Sequence, residues 1–220
     1  ERHRDSWDEP LFVSTEKPSI ESVYVTTVRL NSADPVSFDT DALIVGFLSG
    51  PEGPRPATAA DALDAAFGGK LATALSSVAF SGKPGEIAKL PAFGSLTAPL
   101  LVAVGLGESA DLEGLRRAAG AAVRSLAGTA RAALALPADS AEEAEAVALG
   151  GLLGAYAFGR YRTGDDQKAP VAELTVLSGA PAEAAERATV LAESVTLVRD
   201  LVNTPPSDLW PAKFAEIAEQ

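Results

Sequence analysis

The stretch LVRDLVNTPPSDL, residues 197–209, predicts the end of a helix followed by an abrupt change of chain direction. Apolar residues before and within it recur at alternating spacings of three and four, which places them in one stripe along a helix. The stripe consists of Ala188, Leu191, Val195, Val198 and Val202. Pro205 and Pro206 cannot continue a helix, and Pro205 disfavours helical geometry at Thr204. We therefore expect one helix that buries this stripe and ends by Thr204.

The residues around this helix end have expected roles of their own. Arg199 is expected to meet the negative end of the helix dipole, and Asn203 to adopt the left-handed cap conformation. Pro211 suits the first turn of a new helix, although Trp210 is a poor cap for it. Residues 211–220 are fewer than the roughly 12–15 that a lone helix needs in water. The sequence is therefore expected to be part of a longer protein.

Three motifs, in the same order and spacing, carry a resemblance to a known family. RDLVNTPP at residues 199–206 resembles the junction between the two domains of the leucyl (cytosol) aminopeptidases, the M17 metallopeptidases. GGLLGAYAFGRYRT at residues 150–163 is similar to the family's glycine-rich helix and the tyrosine motif that follows it, and VGLG at residues 104–107 to one of its strand ends. The resemblance covers roughly residues 22–220 and departs from the family at Trp210, where a small capping residue is expected.

The resemblance implies a fold, a domain organisation and an activity. It implies an α/β three-layer sandwich, a macro-domain-like N-terminal domain whose mixed sheet is flanked by helices. Residues 1–20 would be a tail, 21–180 the non-catalytic domain, and 181–220 the linking helix with the start of the catalytic domain. The whole enzyme would use two divalent metal ions, Mn or Zn, to release N-terminal amino acids from peptides, and would form a homo-hexamer. The family's metal ligands lie beyond the junction, so no catalytic, cofactor-binding or metal-binding residue is expected here.

Hydrophobic patterning independently indicates strands that alternate with helices, which is typical of an α/β sandwich. Strands are expected at residues 22–30, 41–48, 86–92, 100–104, 130–136 and 171–178. The second and fourth are nearly continuous apolar runs, which predicts buried central strands. Residues 50–56, rich in glycine and proline, predict a loop.

Helices are expected between these strands. Thr58 and Asp61 resemble a capping pair for a helix whose inner face carries Leu63, Phe67, Leu71, Leu75 and Val78, interrupted by Gly68 and Gly69. A second helix has Leu112, Leu115, Ala119, Ala122 and Leu126 on one face and ends near Gly128. A third begins with a capping box from Ser140 to Glu143 and carries Gly150, Gly151, Gly154 and Gly159. Glycine is a poor helix former, so these four predict that another backbone approaches closely.

Composition excludes several other classes of function. The net charge is −12 and Arg116-Arg117 is the densest basic run, so nucleic-acid binding is not expected. A membrane span is not expected either, because no apolar run reaches the roughly 18 residues required. The chain has 0 cysteines, which removes disulfides and thiolate metal sites and fits a cytoplasmic protein.

Few residues are candidates for chemistry. Gly105 and Gly107 could flank a phosphate-binding loop, but a plain strand-to-helix turn is favoured. His3 is the only histidine, which excludes the usual zinc constellations and a serine-histidine-acid triad. The remaining candidates have structural interpretations. These are the acids Glu142, Glu143 and Glu145 at a helix start, Asp165 and Asp166 in a turn, the aromatic anchors Tyr156, Phe158 and Tyr161, and the solvated Lys70, Lys83 and Lys168.

Two other functions stay open from the residues alone. One is a free-standing macro-domain-like module that binds an ADP-ribose-type phosphate ligand at residues 105–107. The other is an adaptor without a small-molecule site.

Overall fold

A computed structural model describes residues 24–161 and 167–219. The predicted tail at 1–20, His3, Asp165 and Asp166 lie outside the described residues. The strands of the described part are β1 Thr27–Asn31, β2 Ala42–Leu48, β3 Arg55–Pro56, β4 Ile87–Pro91, β5 Leu100–Gly107, β6 Arg131–Ala135 and β7 Glu173–Leu177. Its helices are α1 Ala60–Ala66, α2 Leu71–Ser77, α3 Leu112–Arg124, α4 Ala141–Ala155, α5 Glu183–Asn203 and α6 Pro211–Ala218.

The strands form one mixed sheet. Its order is β1-β7-β6-β2-β5-β4, with the short β3 paired to the end of β2. Neighbouring strands run parallel from β1 to β5, whereas β4 is antiparallel to β5 at the edge. The prediction that β2 and β5 are buried central strands is confirmed, because every residue from Ala42 to Phe47 and from Leu101 to Gly107 is buried and neither strand lies at an edge.

Two helical layers cover the sheet, which confirms the predicted three-layer α/β architecture. Alternate residues of β2 point to opposite faces, as a strand requires. Ile44 packs into the core under α3, α4 and α5. Leu43 and Phe47 pack into the core under α1 and α2, where the rings of Phe47 and Phe80 meet edge to face at 5.6 Å. The sheet is thus buried on both sides.

The first predicted helix is wrong in two respects. Gly68 and Gly69 have φ of 61° and 72°, and they end α1 rather than merely weaken one long helix. A left-handed residue cannot continue a right-handed helix, so α2 starts anew at Leu71. Thr58 also does not cap α1, since its hydroxyl instead donates to the carbonyl oxygen of Ala135 at 2.8 Å.

The strand predictions need smaller corrections. β1 begins at Thr27, later than predicted, because its partner β7 begins at Glu173, with which Thr27 is in register. Val25 precedes the strand and is exposed. The loop predicted at residues 50–56 contains β3, which pairs with Phe47 and Leu48.

The glycines of α4 bring two helices into unusually close contact, as predicted for Gly150 and Gly154. A Cβ atom on Gly150 would lie 2.8 Å from the carbonyl carbon of Arg116 in α3, and one on Gly154 would lie 2.7 Å from the Cα of Gly120. The predicted capping box that begins α4 is also confirmed, because Ser140 and Glu143 each accept from the other's backbone N–H. The start of α4 and its separation from α3 are therefore both set by local sequence. Gly159 lies beyond α4, beside Tyr24.

Candidate docking surface

The turn predicted at residues 105–107 is wrong, because these residues belong to a strand. The surface of that strand end is covered by another part of the same chain. β5 continues through Gly107, and the segment 82–84 lies directly on it. A Cβ atom on Gly105 would lie 2.6 Å from the carbonyl carbon of Gly82, with the carbonyl oxygen of Lys83 closer still. Only glycine permits this approach. The space that a phosphate would need is occupied by backbone.

The segment that covers β5 is held in place by the carboxylate of Glu86. One carboxylate oxygen of Glu86 accepts from the backbone N–H of Ser81 at 2.9 Å, from its hydroxyl at 2.9 Å and from the backbone N–H of Lys83 at 3.2 Å. Burial acts to raise the pKa of Glu86, but these three donors and the backbone N–H of Gly82 together outweigh it and lower the pKa. These donors therefore bind the Glu86 carboxylate and are not available to bind the phosphate of a ligand.

The remaining polar candidates are structural. Glu143 belongs to the capping box, Glu145 pairs with Arg187 at 2.7 Å, and Glu142 is exposed. Lys70, Lys83 and Lys168 are exposed, as predicted. In residues 24–161 and 167–219, no three histidine, cysteine or acidic residues are grouped to hold a metal ion. No helix in the same residues has the length and apolar character needed to cross a membrane.

A polar cluster joins the end of α4 to the end of α5. The Tyr156 hydroxyl donates to Asp200 Oδ1 at 2.8 Å and accepts from the Asn203 amide at 3.0 Å. Arg199 lies over the Tyr156 ring, 5.2 Å from its centroid, and donates to the carbonyl oxygen of Leu153 at 3.3 Å. Asp200 is only 4% exposed. We call these residues, Tyr156, Arg199, Asp200 and Asn203, the tyrosine clamp.

Within the clamp, two predictions about the helix end are wrong. Arg199 meets the carbonyl end of α4 instead of its own helix end, which lies a full turn further on. Asn203 stays helical and does not take the left-handed conformation. The reason is that Thr204, extended at φ −80° and ψ 125°, donates its hydroxyl to the Asp200 carbonyl at 2.6 Å. That bond satisfies a terminal carbonyl without a left-handed residue.

A second tyrosine contact lies beyond the clamp. The Tyr161 hydroxyl donates to Asp208 Oδ2 at 2.6 Å, which ties the segment after α4 to the turn between α5 and α6. Burial, and then the hydrogen bond to an aspartate, raises the pKa of both Tyr156 and Tyr161. The aromatic residues of this motif thus act as anchors at helix ends, as predicted. Phe158 is half-buried and its ring lies 5.8 Å from that of Tyr161.

The apolar stripe of α5 is exposed, which contradicts the prediction that it is buried. Val198 is 59% and Val202 78% exposed. Of the predicted stripe, only Ala188 is buried. The helix packs through small side chains instead, namely Ala184, Ala185, Ala188 and Ala192. Since α5 turns its alanine side toward α4, its large aliphatic side faces away from the domain.

The exposed large side chains of α5 extend over about four turns of the helix. We call this side of the helix the outer face, and it consists of Val190, Leu191, Val195, Leu197, Val198 and Val202. Beyond α5, Trp210 at the start of α6 and Phe214 within α6 are also about half exposed. Soluble domains rarely leave a large apolar patch uncovered, and such patches mark interaction sites. The outer face is the feature of this chain best suited to bind another protein surface.

Comparisons with known proteins identify relatives of this chain in sequence and in structure. Residues 44–165 match the N-terminal domain of the cytosol aminopeptidase family. A probable cytosol aminopeptidase of Streptomyces griseus is 44% identical over 88% of the chain and 42% of its own length. The structure of a tomato leucine aminopeptidase mutant is 27% identical, with a TM-score of 0.72 over 90% of this chain and 42% of that one.

A second solved structure, that of the bottromycin maturation enzyme BotP in complex with Mn, is 29% identical, with a TM-score of 0.60 over 82% of this chain and 35% of that one. The chain thus spans about two fifths of the length of the curated relatives it matches. None of these matches supports the alternative of a free-standing phosphate-binding module.

Proposed function

Since the chain belongs to the cytosol aminopeptidase family and matches its N-terminal domain, we propose that it is the non-catalytic part of a metal-dependent leucyl aminopeptidase. The whole enzyme would act in the cytoplasm and release N-terminal amino acids from peptides. It would work as a homo-hexamer. In this proposal residues 21–180 form the domain, and residues 181–220 link it to the catalytic part.

The observation that carries the proposal is the match to the N-terminal domain over residues 44–165, which the chain follows with an exposed helix and a proline turn. Peptide hydrolysis in the proposed enzyme requires two divalent ions, Mn or Zn, to activate water and polarise the carbonyl group. The described residues offer no grouped ligands for such ions. In this proposal the catalytic part holds the metals, and no step of the reaction is assigned to the residues described here.

The test compares the chain of 220 residues with the full-length gene product. Leucine amide hydrolysis is measured with added Mn²⁺ or Zn²⁺, using identically purified samples. We expect metal-dependent turnover by the full-length protein and none by the shorter chain. Metal-dependent turnover by the shorter chain, in a sample free of full-length enzyme, would contradict the proposal, as would a metal-loaded full-length protein without aminopeptidase activity.

A further inference from the structure

We propose that the outer face of α5 is the docking surface for the catalytic domain of the same polypeptide. This inference rests on the proposed function and adds the surface through which the two parts meet. Eight of the thirteen exposed large apolar side chains in the described residues lie between positions 190 and 214. The apolar surface is thus concentrated where the chain leaves its domain.

The chemistry of the outer face suits a dry contact. Between Val190 and Val202, the exposed residues of α5 are the six large aliphatic residues of the outer face and two polar ones, Glu193 and Ser194. The charged Arg199 and Asp200 of the same segment are held in the tyrosine clamp, away from this side. A face that is mostly aliphatic costs less to desolvate than a charged one, whereas a helix exposed to water ordinarily carries mostly polar residues there.

The face is also held in a fixed position. The tyrosine clamp ties the last turns of α5 to α4, and the hydrogen bond from Tyr161 to Asp208 ties down the following turn. Both tethers lie within the segment that carries the apolar residues. A surface ordered before it binds loses less conformational entropy on docking.

The length of the relatives identifies the occupant. The match covers 42% of the Streptomyces griseus relative, so more than half of that polypeptide lies elsewhere and is large enough for a second domain. A domain of the same polypeptide is present at a high effective concentration, so even a modest apolar face suffices for stable docking. A second copy of this chain has no such advantage.

The experiment uses two valines of equal exposure. Val202 on the outer face and Val25 before β1 are each 78% exposed, so Val25→Asp is a matched control for Val202→Asp. Unfolding midpoints and trypsin cleavage near the junction are measured for both variants, in the chain of 220 residues and in the full-length protein. Val202→Thr, which keeps the side-chain shape, serves as a milder variant should the aspartate variant fail to fold.

We expect Val202→Asp to lower the unfolding midpoint of the full-length protein by roughly 5 °C and to speed cleavage at the junction. Val202→Thr should give a smaller shift in the same direction. Val25→Asp should leave the full-length protein unchanged, and the shorter chain should tolerate both aspartates. The inference is overturned if Val202→Asp behaves like Val25→Asp in the full-length protein, or if the shorter chain forms a dimer that Val202→Asp dissociates.

The wild-type full-length protein's leucine amide hydrolysis is measured in parallel. If the wild-type protein is active but Val202→Asp does not change the unfolding midpoint of the full-length protein, the docking surface alone is refuted. If the wild-type full-length protein is inactive, the proposed function is refuted.

Discussion

Gly154→Ala should destabilise the protein by forcing α3 and α4 apart. The added Cβ atom would lie 2.7 Å from the Cα of Gly120, while ordinary contacts begin at 3.4 Å, so the helices must separate by at least about 0.7 Å. Overpacking of this kind costs about 1–3 kcal/mol, and two rigid backbones place it near the upper end. Alanine restores about 1 kcal/mol of helix propensity, which leaves a net loss of about 2 kcal/mol.

The assay is thermal unfolding followed by circular dichroism. For a domain of this size, a net loss of about 2 kcal/mol lowers the midpoint by roughly 4–8 °C. Gly114→Ala is the matched control, because it lies in α3 where a Cβ atom would meet only the side chain of Asp111, at 3.1 Å. The control should keep or slightly raise the midpoint. A Gly154→Ala protein as stable as the Gly114→Ala protein would show that the close approach of the two helices is not what requires glycine.

Three further substitutions test other parts of the structure. Tyr156→Phe removes a hydrogen bond from the buried Asp200 and should cost about 2 kcal/mol in urea unfolding; an unchanged midpoint would mean that the clamp adds no stability. Gly105→Ala should lower the free energy of unfolding by about 3 kcal/mol in the same assay, because its Cβ atom would displace residues 82–84 from β5. An unchanged free energy of unfolding would show that these residues do not pack tightly on Gly105. Hydrogen bonds from Arg116 and Arg117 lower the pKa of Glu113 to about 2 from 4.5, so its contribution to stability is present above pH 4.5 and is lost as the pH falls toward 2. Glu113→Gln should flatten the plot of unfolding midpoint against pH between pH 4.5 and about 2. An unaltered plot would show that ionised Glu113 does not stabilise the fold.

The central sheet could be predicted from sequence because its signals are strong and local. The apolar runs of β2 and β5 have no polar positions, and at seven and eight residues they have the length of a strand that is covered on both sides. The capping box at Ser140 likewise defines a helix start within four residues. Such features depend little on what packs against them.

The orientation of α5 could not be predicted in the same way. Its periodicity shows two stripes, one of alanines and one of large aliphatic residues, and hydrophobicity favours burial of the larger ones. In the structure the alanines face α4 because small side chains allow the closer approach. The signal that could have indicated this is the alanine series at positions 184, 185, 188 and 192, which shares one side of the helix. Only the packing partner decides between two apolar sides.

The clamp was missed for a related reason. Tyr156 and Asp200 are 44 residues apart in sequence, and no local pattern pairs them. The occlusion of Gly105 by residues 82–84 also depends on tertiary packing. Tyr156, Asp200 and Gly105 all lie in recognisable sequence motifs, but the residues that they contact are determined by the fold.

A calorimetric titration of Mn²⁺ tests most directly whether this chain is the non-catalytic part of the enzyme. Metal is titrated into the chain of 220 residues and into the full-length protein, each first stripped with a chelator. We expect saturable binding of two ions per full-length polypeptide and only weak, unsaturated heat with the shorter chain. Stoichiometric, micromolar binding of Mn²⁺ by the shorter chain would contradict it, because a metal centre would then lie within these residues.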